Sequence, residues 1–230
     1  MILHIPHSSS RIENLVTLTR ELENLYHLTD FQTDKIFCSG KGEPIIFKWS
    51  RFVCDVERLI DDPLEKEGQG IIYRKDFFGN DITRNLRDEH TLVLYNEHHK
   101  NLNMMVAKSL TLLPRCVVVD CHSFSSDMNI DICIGTDDFH TPKDLFCLVY
   151  EYFNRHSLGV KCRVRKNLPF SGTFIPTNYK DDKNVSGIMI EINKNMYAYS
   201  NGKLDYVKML ISGVLDIIYD YEFLYSGQLR

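Results

Sequence analysis

The chain has no CxxC pair, no HExxH pattern, no internal repeat, no low-complexity linker and no apolar run near membrane-spanning length. Its seven cysteines are odd in number, and several sit inside apolar runs (Cys54, Cys116, Cys121 and Cys133), where a free thiol behaves as a small hydrophobe. This argues against a disulfide frame and for a reducing, cytoplasmic setting. The opening Met1–Ile5 lacks the charged and apolar regions of a secretion signal and reads as a short strand. Positive charge is not in excess either. The 27 Lys and Arg face 31 Asp and Glu, for a formal net charge of −4, which offers no field to nucleic acid or an anionic membrane. With nothing to divide them, the 230 residues read as one domain, 1–230, with a full hydrophobic core.

What is present is an alternation of apolar runs and helical periodicities. Residues 2–6 form a first strand, and the spacing of Ile12, Leu15, Leu18, Leu22 and Leu25 predicts a helix over 11–26. Ile45–Trp49 and Phe52–Val56 are candidate strands. The Gly/Asp-rich stretch from Asp61 to Asp81 is long for a plain connection and suits a functional loop. A long helix is expected over 88–112, stopped by Pro114. The β-branched run Cys116–Cys121 reads as a central strand covered on both faces. Further strands at 130–134, 161–164 and 188–192 and helices over 142–157 and 203–222 complete the pattern. It implies an α/β, three-layer sandwich with helices on both faces of a mixed, mostly parallel central sheet.

Four segments place histidines or acids at strand ends, where open α/β sheets carry their sites. His7 follows the first strand and reads either as a metal ligand at the turn or as an exposed residue before a serine-capped helix. Asp120 and His122 lie two apart on one strand, so they share a face. A metal would explain such buried charge; so would an aspartate that only orients the histidine, or a core hydrogen bond. Glu191, inside Ile188–Ile192, is either a general base with a raised pKa or an edge-strand glutamate facing water. Arg51, Asp55, Glu57 and Arg58 alternate charge along a candidate strand and its exit. Arg58 could clamp a substrate carboxylate or pair with Asp61 or Asp62. One of His98 and His99 must face inward on its helix, as a satisfied core histidine more readily than as a ligand.

Taken in order, these segments resemble the N-formylglutamate amidohydrolase family, which shares a zinc-carboxypeptidase-like α/β fold. The resemblance rests on Pro6-His7-Ser8-Ser9, Ser50-Arg51 through Asp55, Glu57 and Arg58, and Gly68-Gln69-Gly70-Ile71 with Phe78-Gly79. It continues through His98-His99 to Leu102, Asp120-Cys121-His122-Ser123, Asn167 through Gly172, and Glu191-Ile192-Asn193 with Tyr197. It implies a zinc-dependent, or other divalent-metal, hydrolase of a formyl- or acyl-amino acid. His7 and His122 would be ligands, Glu191 the catalytic carboxylate, and Arg58 the substrate clamp, with Arg51 and Arg11 in reserve and His99 near the substrate. Carboxypeptidases take a glutamate three residues after their first ligand histidine, where this chain has Ser10. Asp120 is the expected substitute, followed by Asp55, whose other implied role is to support His7. Ser9 replaces the family's glycine and Glu57 its asparagine. A glutamate facing the substrate at position 57 would repel a carboxylate.

Overall fold

The computed structural model describes residues 1–125, 127–155, 162–198 and 201–224. In chain order its strands are β1 (Ile2–Ile5), β2 (Val16–Thr17), β3 (Glu43–Ile46), β4 (Thr83–Arg84), β5 (Cys116–Phe124), β6 (Ile132–Gly135), β7 (Val164–Lys166) and β8 (Val185–Asn193). The helices are α1 (Glu21–Leu28), α2 (Thr33–Phe37), α3 (Asp88–Leu112), α4 (Lys143–Arg155) and α5 (Asn201–Leu224), with short 3-10 turns between them. The main sheet has the order β3-β1-β5-β8-β6-β7. Its first four strands are mutually parallel; β6 runs antiparallel to β8, and β7 follows β6. The fold is therefore the α/β sandwich on a mixed, mostly parallel sheet.

The period-two alternation of side chains along a strand divides this sheet into two faces. Leu3 and Ile5, Val117, Val119 and Cys121, and Ile188, Ile190 and Ile192 point one way. They form the larger core with Ile36 and Phe37 of α2, Leu145, Val149 and Phe153 of α4, and Val207, Ile211, Val214 and Ile218 of α5. The opposite residues Ile2, Cys116, Val118 and Val185 pack on Leu102 and Val106 of α3. Continuing along that second face toward the strand ends, the side chains turn polar: His4 on β1, Asp120 and His122 on β5, Glu191 on β8. Register places His4 beside Asp120 and His122 beside Glu191. Helix α3 suits its place because Thr91, Tyr95, His98, Leu102 and Val106, all buried, recur at helical spacing.

Several elements differ from the sequence expectation, and the strand expected over Ile45–Trp49 is found at Glu43–Ile46. No helix covers 11–26. Glu13 and Arg20 adopt positive φ (46° and 53°), β2 pairs antiparallel with β4, and only Glu21–Leu28 is helical. The apolar residues Ile12, Val16, Leu18 and Leu25 are nevertheless buried, against Phe52, Val53 and Tyr73; tertiary contact overrode helical periodicity. Residues 52–56 are also not a strand. The Phe52 amide donates to Ser50 Oγ, and those of Val53 and Cys54 to the Ser50 carbonyl. Arg84 donates to the Phe52 and Val53 carbonyls at 2.7 and 2.8 Å and to Thr91 Oγ1 at 3.0 Å. This segment is thus a coiled turn, pinned through Arg84 to α3. The expected strand at 161–164 begins instead at Val164, Lys161 lying outside the described residues, as do residues 156–157 of the expected helix. All seven cysteines are free, and no described helix is long and apolar enough to cross a membrane.

Candidate metal centre and active-site cleft

Parallel strands bring their C-terminal ends to one edge of the sheet, and the turns that follow them complete the site. His7, just past β1, is buried, and its backbone carbonyl accepts the Asp30 amide at 2.9 Å. The His7 Nε2–H donates to Asp55 Oδ1 at 2.8 Å, which leaves the Nδ1 lone pair pointing at the Arg51 guanidinium and, at 3.5 Å, at Glu57 Oε2. Burial, with the Arg51 charge, lowers the His7 pKa. It is therefore a neutral imidazole, its tautomer set by Asp55. Burial alone would raise Asp55, but His7 and the two guanidiniums of Arg51 and Arg58 hold it well below the usual carboxylate range.

His122 stands among three carboxylates. Its Nδ1 lies 3.0 Å from Asp30 Oδ2, and its Nε2 lies 3.0 Å from Asp120 Oδ1 and 3.1 Å from Glu57 Oε1. A neutral imidazole has only one N–H, so acids at both nitrogens require either a second proton or a cation. Burial opposes charge on His122, yet Glu57 and Asp120 raise its pKa well above 6.5. A metal ion fits the same requirement in place of the Nε2 proton. Donor atoms of His7, Glu57 and His122 all lie within 4.8 Å of one another. Five carboxylates converge here (Asp30, Asp55, Glu57, Asp120 and Glu191) against Arg51 and Arg58, so the donor set suits a divalent cation in charge as well as in geometry.

Glu57 lies between the two histidines, Oε2 3.5 Å from His7 Nδ1 and Oε1 3.1 Å from His122 Nε2, on a segment remote in sequence from His7. Asp120 is engaged differently: Oδ1 accepts from His4 Nδ1 at 3.0 Å and Oδ2 from the Phe174 amide at 3.0 Å. Asp55 lies on the Nε2 side of the His7 ring. Sequence reasoning missed Asp30, which sits on a turn with no periodic signal, and the pairing of His4 with the inward-facing His98, Nε2 to Nε2 at 3.1 Å. His4 carried a legible signal, being a histidine inside an apolar strand on the face shared with Asp120.

Glu191, in register with His122, has a buried Oε2 without a hydrogen-bond partner. Burial pushes its pKa up to about 8; the His122 charge opposes this, while Asp30, Glu57 and Asp120 add to it. Arg51 and Arg58 line the same cleft as Glu57, His122 and Glu191, and the Nε of each arginine lacks a hydrogen-bond acceptor. Arg58 Nε lies 3.6 Å from Asp55 Oδ2, and its NH1 is 3.8 Å from Asp62. Two expected substrate contacts lie elsewhere. Arg11 is half exposed, paired with Glu13 and stacked over Trp49 at 4.1 Å. His99 donates to the Val56 carbonyl at 2.9 Å and packs on Tyr95, while His98 is buried beside it.

The same architecture is found in a crystal structure of N-formylglutamate amidohydrolase from Ralstonia eutropha JMP134. That chain is 16% identical, with a TM-score of 0.81 over 96% of this chain and 93% of the other. A gene product of Agrobacterium tumefaciens is 18% identical, with a TM-score of 0.66 over 95% and 91%. No curated protein sequence matches significantly. A family-profile match makes the chain an amide hydrolase, an enzyme acting on carbon–nitrogen bonds. The profile of the N-formylglutamate amidohydrolase family matches residues 1–198, and the chain belongs to that family.

Proposed function

We propose that this chain is a zinc-dependent amidohydrolase that cleaves the linear amide of an N-formyl- or N-acyl-amino acid. The observation that carries the reading is the convergence of His7, Glu57 and His122 donor atoms, from three separate segments, beside an unpartnered buried Glu191. Two imidazoles and one carboxylate match catalytic zinc sites, which leave a fourth position open. A zinc ion there would supply Lewis acidity to the amide carbonyl and acidify water.

The remaining chemistry belongs to the chain. Asp55 and Asp30 fix the ring orientations of His7 and His122, as carboxylates behind ligand histidines do. Glu191 takes a proton from the attacking water as the water oxygen bonds to the carbonyl carbon. It then delivers that proton to the amide nitrogen, the C–N bond breaks, and a carboxylic acid and a free amine leave. Positive charge added beside Glu191 favours its carboxylate form, the form a base requires. Arg58, with Arg51, both lining the cleft, holds the substrate carboxylate. With Glu57 among the ligands, the objection to a dicarboxylic substrate such as formylglutamate falls away. The free thiols suit the cytoplasm, and residues 1–230 act as one catalytic domain.

Metal analysis of the purified protein, paired with turnover of N-formyl- and N-acetyl-amino acids, tests this reading. One zinc per chain with hydrolysis, both lost in His122→Ala, is the expected result. Hydrolysis that survives complete metal removal would refute it.

A further inference from the structure

The cleft is larger than the proposed chemistry needs. Its volume is about 1080 Å³, just above the roughly 300–1,000 Å³ usual for ligands of drug size. A formylated amino acid fills only a small part of that. Strand order gives the two halves different characters. Arg51 and Arg58 gather around Asp55 and His7, on the β1 side of the metal cluster. Met189 on β8 and the loop 167–175 after β7 lie on the other side. Phe124, Pro169, Phe170, Ile175 and Met189 line that second half, with His140, Ser171, Thr173 and Lys180 also in the lining.

From this asymmetry we infer a subsite for a bulky apolar acyl group, lined by Phe124, Phe170 and Met189, so that the chain's substrates are N-acyl-amino acids with a medium-length aliphatic or an aryl acyl group. This rests on the amidohydrolase reading above. An amide whose carboxylate is held at Arg58 and whose scissile bond lies at the cluster extends its acyl side over β8 and β6. Phe170 offers an apolar ring there, 45% exposed although its centroid lies 5.9 Å from that of the buried Phe124. The wall is built and anchored. Asn167 Oδ1 accepts the Thr136 amide at 2.8 Å, Cys133 Sγ contacts the Phe170 carbonyl at 3.2 Å, and the Phe174 amide binds Asp120. Gly135 makes room for it. A Cβ at that position would come within 2.2 Å of the Gly172 carbonyl and 2.3 Å of Met189 Cε, so the bare backbone lets the loop and Met189 close on the floor of the subsite. Asp137, which also lines the cleft, is turned to its own loop, where Oδ1 accepts the Phe139 and His140 amides.

The test uses the zinc-loaded full chain with N-formyl-, N-acetyl-, N-hexanoyl- and N-benzoyl-L-glutamate. Each buried methylene is worth roughly a fourfold gain in affinity, so incomplete burial of a hexanoyl chain still predicts a kcat/KM at least about tenfold above that of the acetyl substrate. Phe170→Ala, at an exposed ring, should reduce the hexanoyl-to-formyl ratio by about tenfold without changing the melting temperature, and Met189→Phe should lower the same ratio by filling the floor. If kcat/KM is highest for the formyl substrate and falls as the acyl group grows, the subsite is refuted while the amidohydrolase reading stands. A hexanoyl preference untouched by both variants also refutes it. Failure to hydrolyse any of the four removes the reading beneath it, and the subsite with it.

Discussion

Replacing Glu191 by glutamine probes catalysis and stability with opposite signs. The substitution keeps shape and neutral polarity but removes the proton carrier. General acid–base catalysis contributes about 10²–10⁴-fold, so kcat should fall by that factor, equivalent to roughly 3–5 kcal/mol of barrier, with little change in KM. Stability should move the other way. The folded carboxyl titrates at about 8 against an ordinary 4.5 because it is buried, with Oε2 unpartnered. Between those values the folded chain holds a proton that the unfolded chain has released. The metal-free parent therefore loses stability as pH rises from 4.5 to 8, by an upper bound on the order of 5 kcal/mol. Glutamine has no such slope. Thermal melts of metal-free parent and variant at pH 5 and pH 8 should show the variant's advantage growing by several degrees with pH, while steady-state kinetics show the loss of turnover. An unchanged kcat would exclude Glu191 as the proton carrier, and a melting difference flat in pH would exclude its raised pKa.

Three further outcomes follow from the geometry. Glu57→Ala should weaken zinc binding by tenfold or more in chelator competition, whereas a glutamate that merely faces substrate would alter KM alone. Asp55→Asn removes the acceptor that sets the His7 tautomer and should cost about 10–100-fold in zinc affinity, the usual effect of losing a carboxylate behind a ligand histidine. Arg84→Ala deletes the donors to the Phe52 and Val53 carbonyls and Thr91. Calorimetry should register a loss of about 2–4 kcal/mol, and activity should drop with it because that segment carries Asp55 and Glu57.

The parts of the fold legible in the sequence were those whose burial is dictated by their own pattern. Strands β5 and β8 are apolar on both faces, and α3 repeats its inward residues at helical spacing, so each announced itself. Asp120 and His122 could be assigned to one face from their separation alone. Local pattern failed where distant contacts decide the backbone. Of the 11–26 periodic residues, Ile12, Leu18 and Leu25 are buried against Phe52 and Tyr73 while Leu22 is exposed, and left-handed Glu13 and Arg20 interrupt the backbone. Residues 52–56 alternate like a strand but are bent by Ser50 and Arg84. The position of Glu57 was hidden for the same reason: on an extended strand it shares a face with Asp55, whereas the turn swings it between His7 and His122. Asp30 reaches His122 from an irregular connection, and no local pattern marks such a residue.

Anomalous diffraction at the zinc edge from crystals of the zinc-loaded protein tests the central claim most directly. One peak per chain is expected, about 2.0–2.2 Å from His7 Nδ1, a Glu57 oxygen and a His122 nitrogen. Ordered side chains at all three positions with no peak between them, or a peak bound elsewhere in the molecule, would contradict the account.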